Sequence, residues 1–356
     1  MSWLSISEYT VRVSGQKADI IPMENLKKWR KVLEIAISIG LLWLIISQFK
    51  NTEWIKLLVH AKISYVLLAL VIFMAGNVMN VYKWQMIAHS LGITVSFRKA
   101  FRIYMVGAFI NTFLPAGAGE IKRTLDLSKD NKEYVASFIS VVLERWTGFM
   151  ALLLMASVGL AIDYENFRHT QFPSILAIVG GAGILGSCVM FGAFGLVGKL
   201  KRFEALKSIV ESLERIGPHF RKNLRLVIEA LIITLPQPLL IIWYFQLLAQ
   251  SLSLTVPLQV YYFTVPFILI ISQIPISIAG IGVQEACFLA VFRPLDVPLE
   301  GIFSLSILSY AGKFASAMIG AAYYFHGTIA CHGAKECPPP LAEIDEEPQK
   351  EQAALS

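Results

Sequence analysis

The chain has 356 residues, of which 56% are hydrophobic and only 16% are charged, and its formal net charge is +6. Soluble domains carry roughly 25% charged residues, so this composition excludes a soluble globular protein. The polar stretches are too short for a separate domain of about 50 residues or more. The sequence therefore predicts an all-α polytopic membrane protein whose activity resides in the helical bundle.

The N-terminal part contains the first predicted span. Residues 1–26 form a polar extension without a helical period, and a basic segment at 27–31 precedes an apolar run at 32–49. That run is longer than the core of a signal peptide and has no small-residue cleavage site after it. We expect it to cross the membrane with its basic side in the cytoplasm.

Five further runs reach the length of about 20 residues that is needed to cross the hydrocarbon core. They are residues 63–88, 135–162, 174–197, 226–249 and 301–325. Pro236 and Pro238 are expected to kink the fourth of these. Two shorter runs, 101–114 and 258–274, end at Gly/Pro breaks and are either thin spans or re-entrant hairpins.

The distribution of basic residues distinguishes these alternatives. With both short runs re-entrant, the cytoplasmic segments 83–134 and 199–225 carry eight Lys and Arg each, and the four outer loops together carry five. If residues 101–114 crossed instead, segment 199–225 would lie outside, against the positive-inside rule. The sequence thus predicts six full spans, two re-entrant hairpins and both termini in the cytoplasm, in the cytoplasmic (inner) membrane.

Two glycine-containing motifs reveal an internal repeat. Asn-Thr-Phe-Leu-Pro-Ala-Gly-Ala-Gly-Glu-Ile-Lys-Arg at 111–123 and Pro-Ile-Ser-Ile-Ala-Gly-Ile-Gly-Val-Gln-Glu at 275–285 share an Ala-Gly-x-Gly core, at an offset of 163 residues. The same offset relates the runs that begin at 63 and 226. Three spans separate these starting points, so we expect the halves at about 63–162 and 226–325 to form an inverted repeat.

Both Gly/Pro breaks fall at membrane depth, where an unpaired backbone group costs several kcal/mol unless protein or a watery cavity surrounds it. Glycine permits φ > 0 and a close approach of the backbone to a ligand. Amides at a helix N-terminus also favour anions. The paired breaks therefore predict a substrate site, and the alternative is that the glycines serve only close helix packing. The breaks consist of Pro115, Gly117, Gly119, Pro275, Gly280 and Gly282.

Three charges lie near the middle of predicted spans: Glu144, Arg145 and Lys313. Each costs about 2.5–3.5 kcal/mol at a helix centre unless it is paired or hydrated. In the repeat frame Arg145 and Lys313 occupy similar depths in opposite halves. We expect these two cations to face a phosphate, with Glu144 orienting one of them. The alternative is a structural ion pair of Glu144 with Arg145 or Lys313.

Three further charges follow the breaks, where the hairpins are expected to meet water: Glu120, Arg123 and Glu285. Arg123 could contact an anionic headgroup and Glu285 could act as a gate, or all three could be solvated rim charges. The segment 327–356 is Pro-rich and acidic, which is typical of a disordered tail. We expect no metal and no cofactor. No recognisable nucleophile and base are present, so no catalytic residue and no enzymatic activity are expected.

At residues 107–111, 114–123, 144–148 and 275–285 the sequence resembles the flippase-like membrane domain family. That family includes the membrane half of bacterial lysylphosphatidylglycerol synthase, the multiple peptide resistance factor. The similarity spans about residues 30–326. It implies a flippase-like transmembrane domain at 27–326 that moves a lipid headgroup between leaflets. The family's motif positions correspond here to Asn111, Pro115, Gly117, Gly119, Glu120, Arg123, Glu144, Arg145, Gly280, Gly282 and Glu285.

Two departures from the family pattern stand out. Gln284 occupies a position where the family often has a basic residue, and the soluble aminoacyl-transferase domain is expected to be absent. The family positions together with Lys313 form the predicted substrate site. We expect a lipid translocase for an anionic phospholipid, aminoacyl-phospholipid or polyprenyl phosphate, with no nucleic-acid partner. The alternative is a lipid-modifying transferase, or a membrane subunit that presents a lipid to a partner enzyme.

Overall fold

The computed structural model describes residues 53–114, 117–131, 133–200, 224–273, 281–295 and 297–333. The predicted first span at 32–49, the N-terminal extension and Pro115, Pro275 and Gly280 lie outside the described residues. So does the predicted tail beyond Gly333. The last described helix continues to that residue, past the predicted tail boundary at 327.

The described residues form helices and no strand, which confirms the all-α fold class for this part of the chain. The helices are α1 Glu53–Val59, α2 Ile63–Ser90, α3 Phe97–Phe113, α4 Ala118–Asn131, α5 Tyr134–Ile162, α6 Tyr164–Phe167, α7 Phe172–Leu200, α8 Leu224–Thr234, α9 Gln237–Ser251, α10 Leu258–Ser272, α11 Val283–Phe292, α12 Leu299–Leu308 and α13 Tyr310–Gly333. A short 3₁₀ turn, Arg293–Leu295, follows α11.

Four stretches of the described residues are long and apolar enough to cross a membrane: Ile63–Ser90, Tyr134–Ile162, Ile228–Ser251 and Leu299–His326. Large apolar side chains on these helices point outward, among them Leu67, Val71, Leu154 and Met318. Such extended apolar surface is stable in lipid and not in water. The protein is therefore an integral membrane protein.

Two pairs of shorter helices flank the Gly/Pro breaks. We call α3 and α4 the first hairpin, and α10 and α11 the second hairpin. Gly117 and Gly282, at the starts of α4 and α11, have φ values of 95° and 85°. Residues other than glycine rarely adopt such positive φ values. Helices α3 and α10, with 17 and 15 residues, are shorter than the typical spanning helix of about 20 residues. Their re-entrant depth, and hence the count of six full spans, stays a prediction.

Two of the predicted spans are interrupted. A break at Leu235–Pro236 separates α8 from α9, and the predicted proline kink is confirmed there. A second break, which the sequence did not predict, lies at Ser309 between α12 and α13. The runs at 226–249 and 301–325 each consist of two consecutive helices.

The two halves have matching helix positions. Adding 163 residues to the starts of α2, α3, α4 and α5 gives the starts of α8, α10, α11 and α12 to within two residues. Each hairpin packs against the opposite half, because α3 lies along α13 and α10 lies along α5. Helix α2 packs along α8 and α9, which are its counterparts in the second half.

Glycines allow these crossings between halves to be close. A Cβ atom added to Gly320 on α13 would lie 2.0 Å from the backbone oxygen of Met105 on α3. One added to Gly159 on α5 would lie 2.2 Å from the backbone carbon of Tyr262 on α10. Backbone therefore packs directly on backbone at both crossings, as small residues permit in membrane proteins.

Candidate functional site

A cavity of about 300 Å³ lies between helices α2, α3, α5, α9, α10 and α13. Three cations line it, Lys83, Arg145 and Lys313, and among the described lining residues Glu144 is the one carboxylate. Neutral polar side chains complete its polar surface: Asn80, Tyr104, Gln237, Ser272 and Gln273. Arg145 from the first half and Lys313 from the second therefore line the same cavity. Their role in substrate binding stays a prediction.

A buried charge network forms the wall of this cavity. The Nη1 atom of Arg123 donates to Oε2 of Glu144 at 2.9 Å, and Nζ of Lys83 lies 3.7 Å from Oε1 of Glu144. Lys83 also donates to the backbone oxygen of Glu144 at 3.3 Å. The guanidinium carbon of Arg123 lies 4.3 Å from the ring centroids of both Trp84 and Tyr104. Two cations thus contact a single carboxylate, and two aromatic rings contact the guanidinium of one of those cations.

This network corrects two expectations. Arg123 was expected at an aqueous rim, but it is only 2% exposed. Glu144 was expected to orient one of the two cations Arg145 and Lys313 or to form an ion pair with either, and it is hydrogen-bonded to Arg123 instead. The physical reason is that α4 folds back over α3 at Gly107, where a Cβ atom would lie 2.7 Å from the Cγ atom of Arg123. The missing side chain leaves the space through which Arg123 reaches the interior.

Arg145 is held by the first hairpin. Its Nη2 atom pairs with Oε1 of Glu120, which also accepts a hydrogen bond of 3.1 Å from Nδ2 of Asn111. The Oδ1 atom of Asn111 accepts from the backbone N–H of Gly119 at 2.8 Å. The side chain of Arg145 nevertheless remains 48% exposed. Arg145 therefore has an internal carboxylate partner and an open side.

The N-terminus of α11 in the second hairpin is capped by Glu285, a residue of the same helix. The N–H of Gly282 donates to Oε2 of Glu285 at 2.6 Å, and Glu285 is 2% exposed. Glu285 therefore does not lie at an aqueous rim as expected, because the helix N-terminus draws its carboxylate inward. The amides of Gly119 and Gly282, expected as an anion cradle, are thus occupied by Asn111 and Glu285.

Gln284 positions the second cation. Its Oε1 atom accepts from Nζ of Lys313 at 2.9 Å, and its Nε2 atom donates to Oγ of Ser309 at 2.6 Å. The Nζ atom of Lys313 also lies 4.7 Å from the ring centroid of Tyr310. Gln284 therefore supports a lysine supplied from another helix.

Tyr244 bridges the helix break beside Lys313. Its hydroxyl donates to the backbone oxygen of Ser309 at 2.8 Å and accepts from the backbone N–H of Gly312 at 3.0 Å. The side chain is 1% exposed. One hydroxyl group thereby bonds to two backbone groups at the break between α12 and α13.

Sequence reasoning missed several of these residues. Lys83 was counted with the cytoplasmic segment, although its position inside a long apolar stretch was an available signal for an interior charge. Tyr104 and Tyr244 carry no such signal, because only the folded chain brings them to Arg123 and to the break at Ser309.

The apolar helices and the charged internal cavity together define an integral membrane protein with a polar chamber between its helices. Residues 31–319 match the family described as "Lysylphosphatidylglycerol synthase TM region", and the chain belongs to that family. The resemblance found in the motifs is thereby confirmed. The chain is also similar to the UPF0104 membrane protein MJ1595 of Methanocaldococcus jannaschii, with 29% identity over 126 residues. That match covers 35% of this chain and 38% of the relative's length.

Proposed function

We propose that the protein is a lipid translocase, and not an enzyme, that moves an anionic, phosphate-bearing lipid headgroup between the leaflets of the cytoplasmic membrane. One observation carries the proposal: Arg145 and Lys313, one from each half, line a single cavity inside a membrane bundle. Two interior cations are costly in a membrane unless a ligand, water or partner compensates them. Membership of a family named after a phospholipid synthase supports a lipid as that ligand.

The two cations suit different parts of phosphate recognition. The guanidinium of Arg145 can form two parallel hydrogen bonds to phosphate oxygens, whereas Lys313 supplies a compact point charge. Arg145 already holds the carboxylate of Glu120, which occupies the position that a phosphate oxygen would take. Binding of the headgroup would exchange Glu120 for phosphate. Because Glu120 belongs to α4, this exchange would release the first hairpin.

The proposed transport cycle uses an inverted repeat. The two hairpins would enter the membrane from opposite faces and open alternately, with six full spans and both termini in the cytoplasm. The matching helix starts and the packing of each hairpin on the opposite half support this arrangement. Because α3 packs along α13 and α10 packs along α5, opening of one hairpin would change the packing of the other.

The proposal is tested with the purified full chain in proteoliposomes that carry a fluorescent phosphatidylglycerol in one leaflet. We expect the wild-type protein to accelerate its equilibration between leaflets. Arg145→Ala should slow that rate about tenfold or more, because a hydrogen bond to a charged group contributes about 1.5–3 kcal/mol. The matched control is Arg168→Ala, since Arg168 is 47% exposed and pairs with the nearby Glu165.

Absence of any acceleration by the wild-type protein, for phosphatidylglycerol and for a polyprenyl phosphate, would overturn the proposal. A transferase would behave differently in the same vesicles. It would convert the labelled lipid to a product of changed mobility on thin-layer chromatography when an activated donor is added.

A further inference from the structure

A second cavity, of about 400 Å³, lies where α9 ends and α10 begins. The last turns of α9, the connection between the two helices and the first turn of α10 form its wall. It shares no described lining residue with the cavity that Arg145 and Lys313 line. Its volume falls in the range of about 300–1,000 Å³ that small-molecule sites occupy.

The polar part of this lining is uncharged. Gln246 and Gln250 contribute side-chain amides, Thr255 and Tyr261 contribute hydroxyls, and no charged side chain is among the described residues that line the cavity. Each of these four groups can both donate and accept hydrogen bonds. They therefore suit a ligand whose own groups do both, as hydroxyls do, and they offer no charge to neutralise a phosphate or an amine.

Tyr261 points to a ligand in this cavity. Gln250 and Thr255 are exposed and Gln246 is half-buried, whereas Tyr261 is only 1% exposed, so the lining runs from an open rim to a buried base. Water can satisfy the groups at the rim. The hydroxyl of Tyr261 is buried and has no hydrogen-bond partner among the described protein atoms, which is a costly arrangement unless something else supplies a partner.

The remaining lining is apolar and held in place. Leu254, Val256 and Pro257 supply it. Leu254 packs against α12, where a Cβ atom added to Gly301 would lie 2.5 Å from its Cδ2 atom. A sugar ring presents hydroxyls at its edge and C–H groups on its faces, so it can use both parts of this wall.

We propose that this cavity binds an uncharged sugar, either as the headgroup of a glycolipid or as a free saccharide. The site lies beside the start of the second hairpin, which is expected to begin outside the cytoplasm. The sugar would then arrive from the outer leaflet or from the medium beyond it. This binding site goes beyond the translocase function and does not depend on it.

Photolabelling tests the site. The full chain is placed in phosphatidylcholine nanodiscs that are prepared without sugar-based detergents, since these would compete for the cavity. The probe is a glucosyl diacylglycerol with a diazirine on its sugar, and mass spectrometry locates the label. We expect residues 246–261 to be labelled about fivefold or more above the level given by a phosphatidylcholine with a diazirine on its headgroup, which lacks hydroxyls for these hydrogen bonds.

Competition distinguishes the two sources of the sugar. Excess free maltose should reduce the labelling if a free saccharide suffices. If the lipid chains are also needed, unlabelled glucosyl diacylglycerol should compete and maltose should not.

Two variants connect the labelling to the cavity. Tyr261→Phe removes a hydroxyl that has no described protein partner, so it should leave the fold intact, and Gln246→Leu removes an amide from the lining. Each should lower the labelling at limiting probe concentration about threefold or more, because each removes a hydrogen bond to the ligand. The matched control is Gln171→Leu, at an exposed residue just before α7, which should label as the wild type does.

Equal labelling of residues 246–261 by the two probes would overturn the sugar site, as would unchanged labelling in either variant. Neither result bears on the translocase function, because that function is measured by lipid movement and is assigned to a cavity with different lining residues.

Discussion

Arg123 carries a full positive charge although the residue is only 2% exposed. The contacts of its guanidinium group explain how the helical bundle tolerates this charge. Glu144 neutralises the charge at 2.9 Å, and the faces of Trp84 and Tyr104 enclose the guanidinium. Its Nε and Nη2 atoms have no hydrogen-bond partner among the described protein atoms, so the aromatic faces replace part of its polar shell. A desolvated cation–π contact contributes about 2 kcal/mol.

Replacement of Arg123 should therefore destabilise the protein strongly. Removal of one partner from a buried ion pair costs about 3–5 kcal/mol, because the other charge remains buried. We expect Arg123→Ala to lower the thermal unfolding midpoint by several degrees. Arg123→Lys should lower it less, since it keeps the charge but loses the planar stacking. Arg225→Ala, at a residue whose side chain is 91% exposed, is the control. Equal midpoints for Arg123→Ala and this control would contradict the role of the network.

Two buried tyrosines offer a matched comparison. The hydroxyl of Tyr244 joins Ser309 to Gly312, whereas that of Tyr261 has no hydrogen-bond partner among the described protein atoms. We expect Tyr244→Phe to cost about 1–3 kcal/mol, because it removes two buried hydrogen bonds to the backbone, and Tyr261→Phe to be neutral or stabilising. Unfolding midpoints in detergent measure both. A larger loss in Tyr261→Phe than in Tyr244→Phe would refute this assignment.

At the scale of helices, backbone contact at glycine fixes how the hairpins dock. The crossing of α13 on α3 leaves no room for a methyl group at Gly320. Its obstacle is the backbone of Met105, which cannot move aside as a flexible side chain can. The docking of the first hairpin therefore depends on a residue of the opposite half.

Gly320→Ala should separate α3 from α13, lower the unfolding midpoint and slow lipid translocation. Gly181→Ala on α7 is the control, because nothing lies within 4 Å of a Cβ atom built there. Alanine stabilises a helix by about 1 kcal/mol relative to glycine, so this control should be neutral or slightly more stable. An unchanged midpoint in Gly320→Ala would show that the crossing tolerates a methyl group.

The helix breaks show what sequence can predict at this scale and why. Pro236 lacks a backbone N–H and cannot donate the hydrogen bond that a helix interior requires, so the break between α8 and α9 was predictable. Ser309 has no such intrinsic property, and its break is bridged by Tyr244, which lies 65 residues away in the chain. The breaks at Gly117 and Gly282 were predictable because positive φ favours glycine.

The same distinction applies to the candidate site. Arg145 and Lys313 were identifiable because a charge in the middle of an apolar run needs a compensating environment. Arg123 follows a break, and nothing local indicates that α4 folds back and carries this residue inward. Lys83 lies within the predicted run 63–88 but was counted with the basic residues of the overlapping cytoplasmic segment 83–134. Contacts between side chains that lie far apart in the sequence could not be predicted.

At the scale of the whole molecule, the proposed inverted repeat makes a prediction about sidedness. Ser96 precedes α3 and Thr255 precedes α10, and both side chains are exposed. In a cysteine-free background, Thr255→Cys should react with a membrane-impermeant maleimide in intact cells, because the second hairpin is expected to begin outside. Ser96→Cys should react only after permeabilisation. Labelling of both residues from the same side would rule out opposite orientations of the two halves.

The partnership of α3 with α13 has a consequence for biosynthesis. Helix α3 ends at Phe113 and α13 begins at Tyr310, so roughly 200 residues must be translated before the two can meet. At about 5–20 residues per second this delay lasts roughly 10–40 seconds. During that interval the surface of α3 on which α13 will pack has no partner helix. Helix α13, the last of the described helices to be made, therefore closes the first half, and a premature stop codon ahead of it would disable both halves.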